Sequence, residues 1–225
     1  MKSIGDHNFF CSWSGGKDSC LALYHAIRGG GRPKYLLTML AEDSQRSMSH
    51  GLPITLFQEQ AKALGIPLTT RPTSWDDYEE TFLSALHEFK KNGVEFGVFG
   101  DIDLEEHLQW CQRVCSTKNI HPYHPLWKRG RRELLDEFVG LGFKATIIAV
   151  RQGVLDESFL GRILSEEAIR EIEDVGIDAS GEAGEYHTVV TDGPIFSHPI
   201  HLEIGKQVYH DGCLLLDVSP ATIDS

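Results

Sequence analysis

Positive charge is scarce in this chain. Twenty-one Lys and Arg stand against 33 Asp and Glu, a formal net charge of −12 at pH 7, whereas affinity for a phosphate backbone comes largely from clustered Lys and Arg. The balance argues against tRNA or DNA as a partner. One short basic cluster, Lys128-Arg129 with Arg131-Arg132, reads either as a solvated turn ahead of a helix or as a contact for phosphates or a protein. No apolar run approaches the roughly 18 residues of a membrane span, and the first residues lack an apolar stretch with a small-residue cleavage site. A cytoplasmic protein with no membrane partner is expected. The cysteines number five, an odd count that suits reduced thiols better than a disulfide framework. No Cys-x-x-Cys occurs, which speaks against sulfur transfer and iron–sulfur chemistry.

What is present is a regular alternation. Apolar runs near 8–13, 35–40, 67–71, 95–100 and 145–150 read as strands, and amphipathic stretches near 18–29, 53–64, 76–92, 104–118 and 131–141 as helices. Short connections imply parallel pairing with right-handed crossovers, hence an α/β fold. After about residue 127 the pattern changes to a further helix near 165–174, a Gly-rich loop and short strands. This predicts a nucleotide-binding domain over 1–127 and a smaller α+β substrate domain over 128–225.

The first βα junction carries the chemistry. Ser14-Gly15-Gly16-Lys17-Asp18-Ser19 follows the apolar run Phe9-Phe10-Cys11-Ser12-Trp13 and opens a helix. Two glycines permit a tight turn, backbone N–H groups beyond them converge, and the helix N-terminus adds partial positive charge. Lys17 supplies a cation, and Ser14 and Ser19 supply hydroxyls that also suit an N-cap. The set matches a phosphate cradle for ATP; the bland alternative is a well-capped strand–turn–helix junction. It is not Walker A, whose lysine follows a Gly-x-x-x-x-Gly run.

Gly100-Asp101-Ile102-Asp103 falls where the fourth strand ends, on the side where open α/β sheets bind ligands. Asp101 could hold Mg²⁺ or orient a substrate amine, and Asp18 is the second carboxylate considered for Mg²⁺. Asp101 or Asp103 could equally cap the following helix. In Gly181-Glu182-Ala183-Gly184-Glu185-Tyr186-His187-Thr188 a constrained loop displays two carboxylates, an imidazole and a hydroxyl, suited to acceptor binding, deprotonation or metal binding, or else to a plain hairpin turn. His50 lies in a loop on the ligand side, as a phosphate or ribose contact or a solvated histidine. Cys111, Cys115, His121 and His124 can be drawn as a zinc set, but prolines beside both histidines and the i, i+4 spacing of the cysteines favour ordinary core cysteines.

Taken in order, Ser14 to Ser19, His50, Gly100-Asp101-Ile102, Pro125-Leu126-Trp127, Gly161-Arg162, the 181–188 segment and Asp192-Gly193-Pro194 resemble the diphthine-ammonia ligase family of PP-loop ATP pyrophosphatases over nearly the whole chain. The resemblance implies a HUP-type, Rossmann-like domain with helices on both faces of a parallel sheet and a smaller C-terminal domain. It implies adenylation of an acceptor carboxylate, on the modified histidine of an elongation factor 2-like protein, followed by attack of ammonia with release of AMP and pyrophosphate. Ser14, Gly15, Gly16, Lys17, Asp18, Ser19 and His50 would bind ATP; Glu182, Glu185 and His187 would act with Lys17 in catalysis; Asp101, Gly184, Tyr186 and Thr188 would meet the acceptor. ATP and Mg²⁺ are the cofactors implied, free ammonia the nitrogen donor, and a homodimer one assembly to consider. Ser180 stands where many members have Cys, and residues 125–129 and 155–162 look most like the bacterial branch. Alternatives are the same ATP chemistry on a small-molecule carboxylate, such as a cobalamin-salvage intermediate, and a nucleotide-binding module without ligation.

Overall fold

A computed structural model describes residues 3–49, 51–210 and 212–221. Its described residues divide into two compact units, one of Met1–Ser14, Asp18–Ile54 and Gly65–Arg129, the other of Gly15–Lys17, Thr55–Leu64 and Gly130–Ser225.

The first unit is built on a five-stranded parallel sheet. β1 (Asn8–Ser12), β2 (Arg32–Leu40), β3 (Leu68–Pro72), β4 (Phe96–Val98) and β5 (His121–Tyr123) lie in the order β3-β2-β1-β4-β5. β1 is central, and its fully buried Phe9, Phe10 and Cys11 explain its continuous apolar run. The helices of this unit are α1 (Lys17–Arg28), of which Lys17 belongs to the other unit, α3 (Tyr78–Lys91) and α4 (Glu105–Thr117), with α2 (Ile54–Leu64) between β2 and β3 in sequence. In α3 the buried residues are Phe82, Ala85, Leu86 and Phe89, the i, i+3, i+4, i+7 stripe of a core-facing helix. They meet Phe10, whose ring lies 6.2, 5.3 and 5.8 Å from those of Phe82, Phe89 and Phe99.

Two departures from the expected pattern have local causes. β2 starts at Arg32, ahead of the predicted 35, and includes Pro33; pairing with β3 begins only at Leu36, so at Pro33 the strand has a neighbour on one side alone. β5 was not foreseen, being three residues long around Pro122, a proline tolerated because β5 is an edge strand.

The second unit carries a separate four-stranded antiparallel sheet. β6 (Lys144–Arg151), β7 (Tyr186–Asp192), β8 (Leu202–His210) and β9 (Cys213–Pro220) run in the order β7-β6-β9-β8. β6, paired with β7 along its length and with β9 at Ala149–Arg151, is buried from Ala145 to Val150, whereas edge strand β8 is exposed from Glu203 onward. The C-terminal strands are thus longer than the short ones predicted. With them are α5 (Arg131–Gly140) and α6 (Glu166–Asp174), the latter started by Ser165, whose hydroxyl accepts the Ala168 N–H at 3.2 Å. Helix α2 is counted with this unit: Gln60 donates from Nε2 to the carbonyls of Val190 (2.8 Å) and Gly15 (3.1 Å), and is fully buried in doing so.

Candidate functional site

Residues 14–19 form the turn from β1 into α1. From β1 the chain goes outward to β2 and β3, then crosses back to β4 on the other side of β1, so β1 and β4 flank the switch point where the carboxyl ends of an open α/β sheet leave a crevice. Ser14 Oγ donates to Ser19 Oγ at 3.1 Å across the turn. The chain after β4 runs directly against the first turn of α1: a Cβ on Gly100 would lie 2.9 Å from the Asp18 carbonyl carbon and the Ser19 nitrogen. Asp18 stands in that first turn, partly exposed, where a carboxylate also meets the positive end of the helix dipole.

Within the second unit, Gly15 and Lys17 are held by β7 and α2. Gly15 has φ of +74°, and an added Cβ would sit 2.7 Å from Gln60 Oε1 and 3.1 Å from the Phe57 ring, so backbone conformation and space both demand glycine there. Its carbonyl accepts the Val190 N–H at 2.9 Å. The Lys17 N–H donates to Thr188 Oγ1 at 3.1 Å. Lys17 itself is buried, with Nζ 5.8 Å from the centre of the Tyr186 ring, close enough for a cation–π contact.

The 181–188 segment is a turn that runs into β7. Gly184 N–H donates to the Gly181 carbonyl at 3.0 Å, Glu185 Oε2 accepts the Ala183 N–H at 3.0 Å, and the Tyr186 hydroxyl donates to the Ala179 carbonyl at 2.6 Å. Glu185 is buried and Glu182 partly so. Burial, reinforced by the charges of Lys17 and Arg151, pushes the His187 imidazole down to about 4, so it is neutral at physiological pH. Lys17, Tyr186, His187 and Thr188 therefore lie together, with Thr188 bound to the backbone of the β1–α1 turn itself. The pairing of Gln60 with that turn is a contact that sequence reading missed; a glutamine on an amphipathic helix carries no signal of it.

Asp101 follows β4 in the first unit. It does not cap α4: the N-cap position is Leu104, and no side chain bonds there. Its carboxylate instead lies among His107 Nδ1 at 3.3 Å from Oδ1, His124 Nε2 at 3.4 Å from Oδ2, and Cys111 Sγ at 3.7 Å from Oδ2. Burial opposes its ionisation, but the two histidines outweigh that and hold it well below the usual carboxylate range. Nitrogen and sulfur neighbours of this kind do not suit Mg²⁺, a hard cation of oxygen sites; the Asp18 carboxylate at the loop does. Cys115 and His121 do not join Cys111 and His124: Cys115 is in the apolar core, where burial pushes its thiol up to about 12, and His121 lies exposed in β5. In the basic cluster, Arg131 pairs with Asp178, Arg132 with Asp136 and Glu173, and Lys128 sits over the Trp127 ring at 4.8 Å. His50 lies outside the described residues.

Comparison with known proteins agrees in both halves. The model of the diphthamide synthase N-terminal domain matches residues 8–122, and that of the diphthamide synthase C-terminal domain matches residues 131–221. A protein of Danio rerio named diphthine–ammonia ligase is 27% identical over 223 residues, covering 88% of this chain and 87% of that protein. The Homo sapiens protein of the same name is 29% identical over 223 residues, covering 88% and 83%. Among solved structures, one described as a predicted subunit of tRNA methyltransferase from Methanocaldococcus jannaschii aligns over 84% of this chain and 98% of its own, with 16% identity and a TM-score of 0.46, too loose a likeness to carry a functional conclusion.

Proposed function

The chain belongs to the diphthamide synthase family, and we propose that it is an ATP-dependent amide ligase that adenylates a carboxylate and then replaces AMP with ammonia. The acceptor in this reading is the carboxylate of a modified histidine on an elongation factor 2-like protein, in keeping with the relatives named diphthine–ammonia ligase.

The observation that carries the reading is the β1–α1 turn, where a buried lysine, two glycines and the amides of a helix N-terminus meet at the switch point of a parallel sheet. Triphosphate charge is stabilised there by the α1 dipole and Lys17. The acceptor oxygen attacks the α-phosphorus, the bond to the β-phosphate oxygen breaks, and pyrophosphate leaves with its new charge facing Lys17. Mg²⁺ bound to the triphosphate would neutralise part of that charge, with Asp18 the residue to hold it.

In the second step ammonia attacks the acyl carbon of the mixed anhydride, a C–N bond forms, and the C–O bond to AMP breaks. The nitrogen must shed a proton as this happens. His187, kept neutral beside Lys17 and Arg151, carries one unprotonated ring nitrogen, as every neutral imidazole does, and takes that proton in this reading. Glu182 and Glu185, in the turn that runs into β7 just ahead of His187, orient the acceptor in this reading.

The experiment is product analysis with ATP, ammonium and either a diphthine-bearing elongation factor or small carboxylates. AMP and pyrophosphate in equal amounts, dependent on the elongation factor, are expected. ADP with orthophosphate would sink the reading; turnover on a small carboxylate alone would keep the chemistry and replace the acceptor.

A further inference from the structure

We propose that Asp101, Cys111 and His124 form a binding site for a zinc-type divalent cation, a site that does not depend on the ligase reading. Three separate elements supply it: Asp101 follows β4, Cys111 lies on α4, and His124 follows β5. Their donor atoms all lie within 4.8 Å of one another, with Cys111 Sγ 3.7 Å and His124 Nε2 3.4 Å from the same carboxylate oxygen, Oδ2 of Asp101. Around a tetrahedral ion with bonds of about 2.3 Å to sulfur and about 2.0 Å to nitrogen and oxygen, ligand atoms stand roughly 3.3–3.6 Å apart. The two measured separations are those of a coordination shell to within about 0.2 Å, on the same geometry.

His124 adds an independent observation. Its side chain is 3% exposed, and its Nε2, 3.4 Å from Asp101 Oδ2, has no hydrogen-bond partner among the described residues. A polar ring nitrogen buried in that condition is rare and asks for a ligand. The ring is held flat against Phe99, with centroids 5.2 Å apart and planes 17° from parallel, so Nε2 is aimed rather than free to turn away.

The donor set selects the cation. One thiol, one imidazole and one carboxylate suit a borderline-soft ion such as Zn²⁺ and not Mg²⁺ or Ca²⁺. His107, one turn before Cys111 on the same face of α4, contacts the other carboxylate oxygen, Oδ1, at 3.3 Å, which leaves Oδ2 turned toward the cysteine and the histidine, as an outer partner orients a ligand. Without an ion, burial and the Asp101 charge keep the Cys111 thiol protonated; on binding, the dication takes the thiolate and the proton passes to solvent. Three protein ligands leave a fourth position for water. Asp101 directly follows Gly100, whose backbone runs against Asp18 and Ser19, so an ion here ties the ends of β4 and β5 to α4 just where the chain meets the first turn of α1.

The test is to strip the full-length chain with a chelator and titrate it with Co²⁺, whose thiolate bond gives a charge-transfer band in the near ultraviolet. One Co²⁺ per chain is expected, with that band and the visible bands of a four-coordinate ion, all bleached by added Zn²⁺. Cys111→Ser should remove the charge-transfer band and His124→Ala should weaken binding at least about tenfold, while Cys115→Ser, in the core one turn further on, leaves both intact. A wild-type chain without the band at excess Co²⁺, or a band that survives Cys111→Ser, overturns the proposal. The wild-type spectrum decides even if a variant fails to fold, and since the readout uses neither ATP nor acceptor, its failure leaves the ligase reading standing and the converse holds.

Discussion

The backbone N–H of Lys17 is held by the side chain of Thr188, 171 residues later, at 3.1 Å in a buried setting. In the proposed ATP site the loop must present its amides in one arrangement, and this contact sets one of them from β7. Thr188→Val removes the acceptor while keeping the shape. The loss expected is about 1–3 kcal/mol, the penalty for a buried donor deprived of its partner, read from urea unfolding, with Thr188→Ser restoring most of it.

Lys17→Ala should leave the far-ultraviolet circular dichroism unchanged and lower pyrophosphate release by about 100- to 1,000-fold, the effect of removing one preorganised charge from a developing anion. Wild-type rates in that variant would remove Lys17 from the chemistry.

Gly15→Ala tests the turn itself. At φ +74° and with a Cβ 2.7 Å from Gln60 Oε1, alanine must shift the loop or the glutamine, so a loss of about 1–3 kcal/mol and weaker ATP binding by calorimetry are expected together.

His187 predicts a pH dependence of stability. Its pKa is pushed down to about 4 by burial and by Lys17 and Arg151, against an ordinary 6.5 in the unfolded chain. Above the ordinary value neither state holds the proton and the contribution to stability is whole. As pH falls from about 6.5 to about 4 only the unfolded chain takes up a proton, so stability declines across that window and His187 adds no further loss below it. Denaturation midpoints between pH 7 and pH 4 should fall less steeply for His187→Asn than for wild type.

Phe10→Ala, at a fully buried position with three ring neighbours, should destabilise by about 3–5 kcal/mol without altering the Co²⁺ spectrum. A loss under 1 kcal/mol by urea unfolding would show that the core of the parallel sheet is not where its rings meet.

The elements whose signals are local were legible in advance. Phe82, Ala85, Leu86 and Phe89 betray the buried face of α3 because a helix repeats every 3.6 residues wherever it occurs, and the glycines after Phe9-Phe10-Cys11 mark the turn from β1 into α1 through backbone geometry alone. Those properties belong to neighbouring residues. Tertiary structure alone decided that α2 is counted with the second unit through Gln60, that Thr188 reaches the Lys17 amide, that three residues around Pro122 pair as an edge strand, and that Asp101, not Cys115 or His121, completes the cluster of Cys111 and His124. Each of these joins residues far apart along the chain, and which distant groups meet is set by how whole elements pack, for which no short stretch of sequence carries a period or a spacing.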